Sequence, residues 1–445
     1  MTDIYPYGLL QPDPTTEFGL SWIDNSGEGG DTQTVNFGTD PDNLSSSESD
    51  SGEVVPSSDA YVYHTVLDGL EPGTRYHIEI DSTETVTHEF ETMPTEMPDR
   101  LKLAVTSDHH PWREDGMADV GRGGAVMRSL GRKDYDVLMF VGDWVTHTQN
   151  TSSSNAQLWL DWWRYYGLPM DQDKIHPEFP CVGNHEVADG EQTIWNGDPD
   201  DWDDEDLDPE AGYFQLFFPN LKNLPPEGKN YGEITVSNYL QLISLDTYSE
   251  FPENQTDWLD DVIDESVDHC LPMLHAPMLR AGARGGGEIQ QIIREEWAPI
   301  LHDADNVSVQ FSGDQHRRKV TYPYRLVDEE PSHDDYYDIG DGQYLIADEG
   351  VEDGIIEFGD GWMNSRSSAP ETWYLQPDYS AGSDVNQCQY YTTILSEDYV
   401  TVNEWDQWGG RLASHNVVGK PPDKARFRGE STVTISSDSN ISVNF

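Results

Sequence analysis

The chain is poor in basic residues. It holds 25 lysines and arginines against 84 aspartates and glutamates, which gives a formal net charge of −59 at pH 7. A nucleic-acid-binding protein with a basic surface is therefore not expected. Acidic disordered chains are usually poor in aromatic residues, whereas 11% of this chain is aromatic, so we expect a folded protein.

A nucleic-acid mimic is one explanation of the charge. We favour adaptation to molar salt, where the Debye length falls to about 3 Å and self-repulsion is screened, and thus a halophilic protein.

Cysteine is also scarce, and three residues are too few for a disulfide framework. No apolar run reaches the roughly 18 residues that a membrane span needs. The N-terminal residues contain no basic stretch followed by an apolar one and no twin-arginine pair, so no export signal is expected. These absences predict a protein in the cytoplasm of a salt-accumulating halophile, or one carried in a virus particle or another surface assembly.

Residues 1–95 predict an all-β domain, because short strand patterns alternate there with turn residues. The Pro-Gly turn within Leu70–Tyr76 places a tyrosine at the start of a strand. This arrangement is typical of the tyrosine corner of a β-sandwich, in which the phenol bonds back to the backbone. The segment resembles a fibronectin type III module.

Residues 96–418 predict an α/β domain. Apolar residues recur at helical spacing over 154–166, 257–267 and 289–301, which indicates helices with one buried face. The acidic insertion 196–212 is interpreted as a solvated loop, with a calcium-binding loop as the alternative. Residues 419–445 predict a small β extension. Such an extension would allow a homo-oligomer or a larger assembly, because an added strand can pair with a neighbouring subunit.

Five polar clusters follow five compact apolar runs, and runs of this kind predict buried strands. Ligands collect beyond the carboxyl ends of the strands in open α/β sheets. The five strand ends should therefore bring carboxylates, an amide and imidazoles to one edge, and these are the ligands of a metal centre. The clusters are Asp108-His109-His110, Gly142-Asp143, Gly183-Asn184-His185-Glu186, His275 and Gly313-Asp314-Gln315-His316.

This ordered set resembles the motifs of the calcineurin-like metallophosphoesterases, whose domain is a β-sandwich core flanked by helices. A β-sandwich placed before such a domain, together with the closing strands over 400–417, narrows the resemblance to the purple acid phosphatases. It covers residues 1–418. The spacings of 35, 41, 91 and 39 residues are similar to those of the family, counted along Asp108, Asp143, Asn184, His275 and Asp314.

The resemblance implies two metal ions about 3.5–4 Å apart, with a bridging hydroxide as the nucleophile. Asp143 would bridge the two ions. His185 would protonate the leaving oxygen, and Glu186 would orient the His185 ring. The other implied ligands are Asp108, His110 and His316 for one ion, and Asn184, His275 and Asp314 for the second.

The chain departs from the family pattern in several places. Asp314 stands where the family has histidine, and a carboxylate is a harder ligand, which favours Mn, Fe or Mg over Zn. Thr146 stands where the purple enzymes have a tyrosine, so we expect no purple colour. Arg280 and Arg284 are candidates to bind the substrate phosphate, and His109 is a candidate for another substrate contact.

The leading hypothesis is a metal-dependent phosphoesterase that prefers phosphomonoesters to phosphodiesters. The alternative is a non-catalytic or weakly active component of a halophilic surface or virus assembly, in which Asp314 marks the decay of the site. A third reading, a calcium-loaded adhesive protein, would use the acidic insertion but leaves the five clusters unexplained.

Overall fold

The structure is a computed structural model of the chain. The predictions for His110, Thr146, Arg284, the acidic insertion and the C-terminal extension lie outside the residues that it describes. The described residues are 4–27, 29–82, 84–109, 113–114, 117–118, 123–145, 153–164, 174–187, 212–220, 224, 228–249, 253–280, 287–316, 318–333, 335–348, 354–359, 373–376, 389–397, 399–406 and 408–418.

Strands dominate these residues and form several sheets, so the molecule is mostly β. The strands are β1 (Ile4–Leu9), β2 (Phe18–Asp24), β3 (Thr34–Gly38), β4 (Ser45–Glu48), β5 (Glu53–Val54), β6 (Tyr61–Leu67), β7 (Arg75–Asp81), β8 (Thr85–Glu91), β9 (Leu101–Thr106), β10 (Arg113–Glu114), β11 (Met117–Ala118), β12 (Val137–Val141), β13 (Pro177–Cys181), β14 (Gly232–Val236), β15 (Leu240–Leu245), β16 (His269–Leu274), β17 (Val309–Ser312), β18 (Lys319–Val320), β19 (Tyr324–Val327), β20 (Tyr337–Gly340), β21 (Gln343–Ala347), β22 (Ile356–Gly359), β23 (Gln389–Ser396), β24 (Tyr399–Asp406) and β25 (Arg411–Val418).

The helices are short, and those predicted from the sequence are found with shifted ends. They are α1 (Gly123–Leu130), α2 (Ser153–Trp162), α3 (Asn184–Val187), α4 (Gly212–Phe217), α5 (Glu253–Val262), α6 (Gly287–Ile292), a π-helical turn (Ile293–Trp297) and α7 (Ala298–Asp303).

Helix α5 ends five residues before its predicted end at 267. The Gln241 side chain donates from Nε2 to the Val262 carbonyl at 2.9 Å and accepts at Oε1 from the Asp264 N–H at 3.1 Å. The Asp264 carboxylate then accepts from the Ser266 N–H at 2.9 Å. Because these side chains take the backbone groups that a further helical turn would use, the chain turns instead.

A ten-stranded sheet runs through both predicted domains, in the order β25-β24-β23-β9-β12-β13-β1-β2-β6-β5. Its centre is parallel, with β9, β12 and β13 side by side. The N-terminal strand β1 then pairs in parallel with β13, matching Gly8 with Pro177 and Leu9 with Glu178. The predicted boundary at residue 95 stays a prediction, and this sheet crosses it.

A six-stranded sheet, in the order β14-β15-β16-β17-β22-β18, packs against the first. The Ser244 hydroxyl donates to the Pro180 carbonyl at 3.0 Å, and the rings of Phe311 and Tyr391 lie 6.4 Å apart between centroids. One large apolar core lies between the sheets, with Phe311 and Tyr391 both buried in it. The parallel strands β15, β16 and β17 face β9, β12 and β13 across this core.

The N-terminal residues also form a four-stranded sheet, β4-β3-β7-β8, with a smaller apolar core of its own. The predicted tyrosine corner is confirmed, because the Glu71 N–H donates to the Tyr76 hydroxyl at 2.8 Å. Tyr76 stacks on Phe90 at 5.2 Å, and Phe90 stacks on Phe18 at 4.2 Å. These rings join the four-stranded sheet to β2 of the larger one.

Side chains also fix the N-terminal strands to the rest of the molecule. The half-buried His64 ring lies 2.6 Å from the Ser21 hydroxyl through Nδ1 and 2.9 Å from the Leu216 carbonyl through Nε2. The Tyr239 hydroxyl donates to the Pro94 carbonyl at 2.8 Å, next to the predicted domain boundary at residue 95. Among the helices described, none has both the length and the apolar character needed to cross a bilayer.

Candidate metal centre

Three strand ends of the ten-stranded sheet and two of the six-stranded sheet meet at one edge of the core. Their first polar side chains converge there, as the strand pattern predicts. The side chains of Asp108, Asp143 and His316 can each offer one ligand atom, and these atoms lie within 4.8 Å of one another. The His316 Nε2 atom lies 3.3 Å from Asp108 Oδ1. Two carboxylates and an imidazole therefore share one small space.

A second group of side chains meets Asp143 from its other side. The His275 Nε2 atom lies 3.2 Å from Asp143 Oδ2 and 3.1 Å from Asn184 Oδ1. In this orientation the Asn184 oxygen faces only acceptors. A cation between them would satisfy all three side chains. Without one, a rotated amide would instead donate to Asp143 at 3.3 Å and to His275 at 3.1 Å. The donor set thus fits a metal ion.

The His275 ring is held in the orientation that a ligand needs. Its Nδ1 atom lies 2.7 Å from the Val141 carbonyl. A backbone carbonyl at this nitrogen fixes the tautomer, so that the Nε2 lone pair faces the site. The ring passes close to the backbone of Gly142, whose φ is +79°. A Cβ atom on residue 142 would lie 2.4 Å from His275 Nδ1, so only glycine fits there.

Several site residues have left-handed backbone, which is uncommon outside glycine and concentrates at functional sites. The φ angles are +54° at Asp108, +57° at Asp143, +71° at Asp314 and +54° at His316. Hydrogen bonds between the loops hold these conformations. The Asp108 N–H donates to the Gly142 carbonyl at 3.0 Å, and the Asp314 N–H donates to Asp108 Oδ1 at 3.0 Å.

Glu186 braces two of these loops. Its Oε2 atom accepts from the N–H groups of Gly183 at 2.8 Å and Asp143 at 2.9 Å, and its Oε1 atom accepts from the Trp144 N–H at 2.9 Å. The expected role of orienting the His185 ring is not what these bonds do, because both oxygens serve backbone donors. His185 instead contacts Asp143. Its N–H donates to Asp143 Oδ1 at 3.0 Å, and its Nε2 atom lies 3.9 Å from Oδ2.

The pKa shifts of the site reflect crowded negative charge, which a bound cation would neutralise. Burial and then the charge of Asp143 raise the pKa of Glu186 to about 8. Burial also raises the pKa of Asp314 to about 6, although the positive charge of His275 opposes it. For His275, burial would lower the pKa, but the charge and hydrogen bond of Asp143 together with the charges of Asp108 and Asp314 outweigh burial and raise the pKa well above the usual value. Crowded carboxylates that retain protons are groups from which a metal ion displaces protons on binding.

The structure places His109 in the core, and its predicted contact with substrate stays a prediction. The side chain is 3% exposed. Its Nε2 atom lies 3.0 Å from the Thr106 hydroxyl, and its Nδ1 atom accepts from the Trp162 indole N–H at 3.3 Å. Its ring meets Phe140 edge-on at 4.5 Å. Both ring nitrogens are used by the protein, so His109 packs beneath the site.

Arg280 is described and follows His275 by five residues. It is half-buried, and its carbonyl accepts a hydrogen bond from the Tyr374 hydroxyl. Its role in phosphate binding stays a prediction.

The sequence reasoning missed Tyr248. Its buried ring lies 5.9 Å from the His275 ring between centroids, and its hydroxyl lowers the pKa of Asp314. The neighbouring Thr247 hydroxyl accepts from the Ala276 N–H at 3.0 Å. The sequence did contain a signal for it. Strand β15 is a compact apolar run, and Asp246-Thr247-Tyr248 follow it at the same edge of the core.

Comparison with known proteins supports this description of the fold. A family model described as the purple acid phosphatase N-terminal domain matches residues 8–92. None of the curated proteins has a matching sequence.

Solved structures match over nearly the whole chain. A purple acid phosphatase from yellow lupin (Lupinus luteus) seeds matches with a TM-score of 0.63 and 12% identity, over 93% of this chain and 74% of its own. The structure titled PhoD matches with a TM-score of 0.62 and 11% identity, over 94% of this chain and 92% of its own. At these identities the likeness concerns the fold. The chain thus shares its fold with a purple acid phosphatase and with PhoD.

Proposed function

We propose that this protein is a metal-dependent phosphoesterase. The observation that carries the proposal is the convergence of acceptor atoms on both sides of Asp143. Asp108 and His316 lie on one side, and Asn184 and His275 lie on the other. The fold shared with a purple acid phosphatase supports the same conclusion.

The donor set suits two ions that share Asp143. Asp108 and His316 would hold the first, and the sequence adds His110 to them. Asn184 and His275 would hold the second together with Asp314, whose Oδ2 atom is buried and has no hydrogen-bond partner among the described residues. When bound, two such ions activate water for attack and neutralise the charge of the phosphate oxygens.

The residues of the chain supply the remaining parts of the reaction. Asp143 fixes the separation of the two binding positions, since its carboxylate reaches both. Glu186 keeps Asp143 in place through the backbone. His185 lies at the rim of the ligand set, and its Nε2 atom is the group that would give a proton to the leaving oxygen.

Asp314 bears on the identity of the metal. A third carboxylate makes the site harder and more negative than one built with histidine there, which favours Mn, Fe or Mg over Zn. We also propose that phosphomonoesters are preferred to diesters and that the protein works at high salt, as its charge of −59 suggests.

The test is hydrolysis of para-nitrophenyl phosphate and bis-para-nitrophenyl phosphate in molar KCl with added Mn²⁺. Asp143→Ala should lose both metal binding and turnover, because it removes the side chain common to both ion positions. Asp303→Ala is the matched control, since Asp303 is 85% exposed and should change neither. Metal binding without hydrolysis would instead favour the non-catalytic component.

A further inference from the structure

Three cationic residues follow His316 directly, in a chain with few cations, and the structure describes the second and third of them, Arg318 and Lys319. Arg318 makes a two-pronged ion pair with Glu404 of β24. Its Nη2 atom lies 2.7 Å from Glu404 Oε2, and its Nε atom donates to Oε1. The Glu404 side chain is fully buried, and that of Arg318 is 16% exposed. The segment after His316 is therefore tied to the ten-stranded sheet.

Lys319 ties the same segment to the six-stranded sheet. Its Nζ atom lies 3.0 Å from Glu357 Oε1, and both side chains are fully buried. The ammonium also donates to the Ser312 hydroxyl at 2.8 Å and to the Leu279 carbonyl at 3.1 Å. These three partners account for all three N–H donors of the ammonium. A Cβ atom at residue 359 would lie 2.3 Å from Lys319 Cε, so Gly359 opens the path for this side chain.

Glu357 extends the network to a second ligand loop. Its Oε1 atom accepts from the Met278 N–H at 3.1 Å, and its Oε2 atom accepts from the Leu279 N–H at 2.9 Å. Met278 and Leu279 lie three and four residues after His275, while Ser312 lies two residues before Asp314. One buried ion pair thus joins the loops of His275 and Asp314 to the segment that leaves His316.

Stability alone is a weak reason for such pairs. Replacing a buried ion pair by apolar side chains is often neutral or stabilising, because both charges must be desolvated. The loop that they hold, however, carries Asp314 and His316 in left-handed backbone. Such conformations persist only where the surrounding structure imposes them.

We propose that Arg318 and Lys319 are positioning residues, whose buried ion pairs hold His316 and its neighbouring ligand loop in the geometry that metal binding requires. This inference rests on the proposed metal-dependent function. The Arg318–Glu404 pair would support the ion position that includes His316. The Lys319–Glu357 pair would support both ion positions, because it also contacts the His275 loop.

The experiment is calorimetric titration of metal-free full-length protein with Mn²⁺ in molar KCl, without substrate. Arg318→Met/Glu404→Leu removes both charges of one pair and should weaken one of the two Mn²⁺ equilibria by about 10- to 100-fold, the usual effect of losing a group that orients a ligand. Lys319→Met/Glu357→Gln removes both charges, keeps an acceptor for one of the two backbone N–H groups and should weaken both equilibria.

The matched control is Lys102→Met/Asp134→Asn. This ion pair of 2.6 Å lies at the start of β9, at the opposite end of the strand from Asp108, and its loss should leave both equilibria unchanged. Arg318→Lys keeps the charge but not the planar two-pronged geometry, so its affinity for one ion should fall between those of wild type and the double variant.

Folding is followed in parallel by the melting temperature of the metal-free proteins. Wild-type affinity in folded double variants would overturn the inference while leaving the proposed function intact. If a double variant does not fold, Arg318→Lys decides by the same readout, and unchanged affinity there overturns the inference. A wild type that binds no Mn²⁺ would overturn both proposals.

Discussion

At the scale of single residues, His185 lies beside the ligands but is not itself needed to hold an ion. We expect His185→Ala to keep metal binding and to lower turnover by roughly 10²–10⁴-fold, the usual contribution of a general acid. The loss should be smaller for para-nitrophenyl phosphate than for an alkyl phosphate, because a good leaving group needs no proton. Steady-state rates on both substrates measure it, with His302→Ala as control. An equal loss on both substrates would mean that His185 positions the phosphate instead.

Asp314 should determine which metal the site prefers. Asp314→His introduces the histidine that the metallophosphoesterase motif has at this place, and we expect the ratio of Zn²⁺ to Mn²⁺ affinity to rise by about tenfold or more, because imidazole is a softer ligand than carboxylate. Competition titration with the two metals measures this ratio. Asp341→His is a suitable control, since Asp341 is exposed and also has left-handed backbone, with φ +51°. An unchanged ratio would mean that Asp314 does not contact metal.

The residues of the site differ in how well the sequence could predict them. Asp108, Asp143, Asn184 and His275 follow apolar strands directly, so a periodicity argument brings them together. The bracing role of Glu186 could not be predicted, because it depends on backbone N–H groups of a loop 42 and 43 residues earlier. The contacts of His109 could not be predicted for a similar reason: its partner Trp162 belongs to a helix whose packing the local sequence does not reveal.

At the scale of elements, β6 carries a titratable group where it meets α4. Burial lowers the pKa of His64 to about 4. In the unfolded chain the imidazole takes up a proton near pH 6.5, so between these two values the unfolded state binds the extra proton. The stability contributed by neutral His64 is therefore complete above pH 6.5, and it is lost by up to about 1.4 kcal/mol per pH unit as the pH falls towards 4.

Urea unfolding in molar KCl at pH 7, 6 and 5 tests this expectation. His64→Gln should be less stable at pH 7, because it alters the contacts with Ser21 and Leu216, but its stability should fall less steeply with pH. His333→Gln, at an exposed histidine, should keep the wild-type slope. If the stability of His64→Gln falls with pH as steeply as that of wild type, the contact between β6 and α4 does not hold His64 as the neutral imidazole.

The order of the strands was harder to predict than their positions. The apolar runs of β9, β12 and β13 indicate strands by themselves, and the Pro-Gly turn before β7 identified the tyrosine corner. The pairing of β1 with β13 joins Leu9 to Glu178. No local pattern reports a partner so far along the chain, since alternation specifies which face of a strand is buried and not which strand lies beside it.

At the scale of the whole molecule, the charge of −59 should make stability depend on salt. Like charges crowd the folded surface, and unfolding separates them, so repulsion favours the unfolded chain in dilute buffer. The Debye length falls from about 30 Å at 0.01 M salt to about 3 Å at 1 M. We expect the melting temperature to climb steeply from dilute buffer to molar KCl.

Calorimetry in KCl and in sucrose of equal osmolality separates charge screening from solute exclusion as the cause of a higher melting temperature. Sucrose strengthens apolar burial by exclusion from the surface but screens no charge, so it should raise the melting temperature much less than KCl does. Equal effects of the two solutes, or a melting temperature that stays flat in KCl, would contradict the halophilic proposal.

The insertion of β1 between β2 and β13 has a consequence for how the chain folds. Strand β1 is synthesised before the other strands of its sheet, yet one of its two edges is completed only when β13 is available, more than 160 residues later. Closing such a long loop costs entropy before the pairing returns any stability, and contacts of this separation slow folding. Before they pair with each other, β1 and β13 each have an open edge, which can pair with other chains. The N-terminal strands therefore cannot complete their sheet before β13 has been made. Folding of the N-terminal strands is thus coupled to folding of the parallel strands that follow.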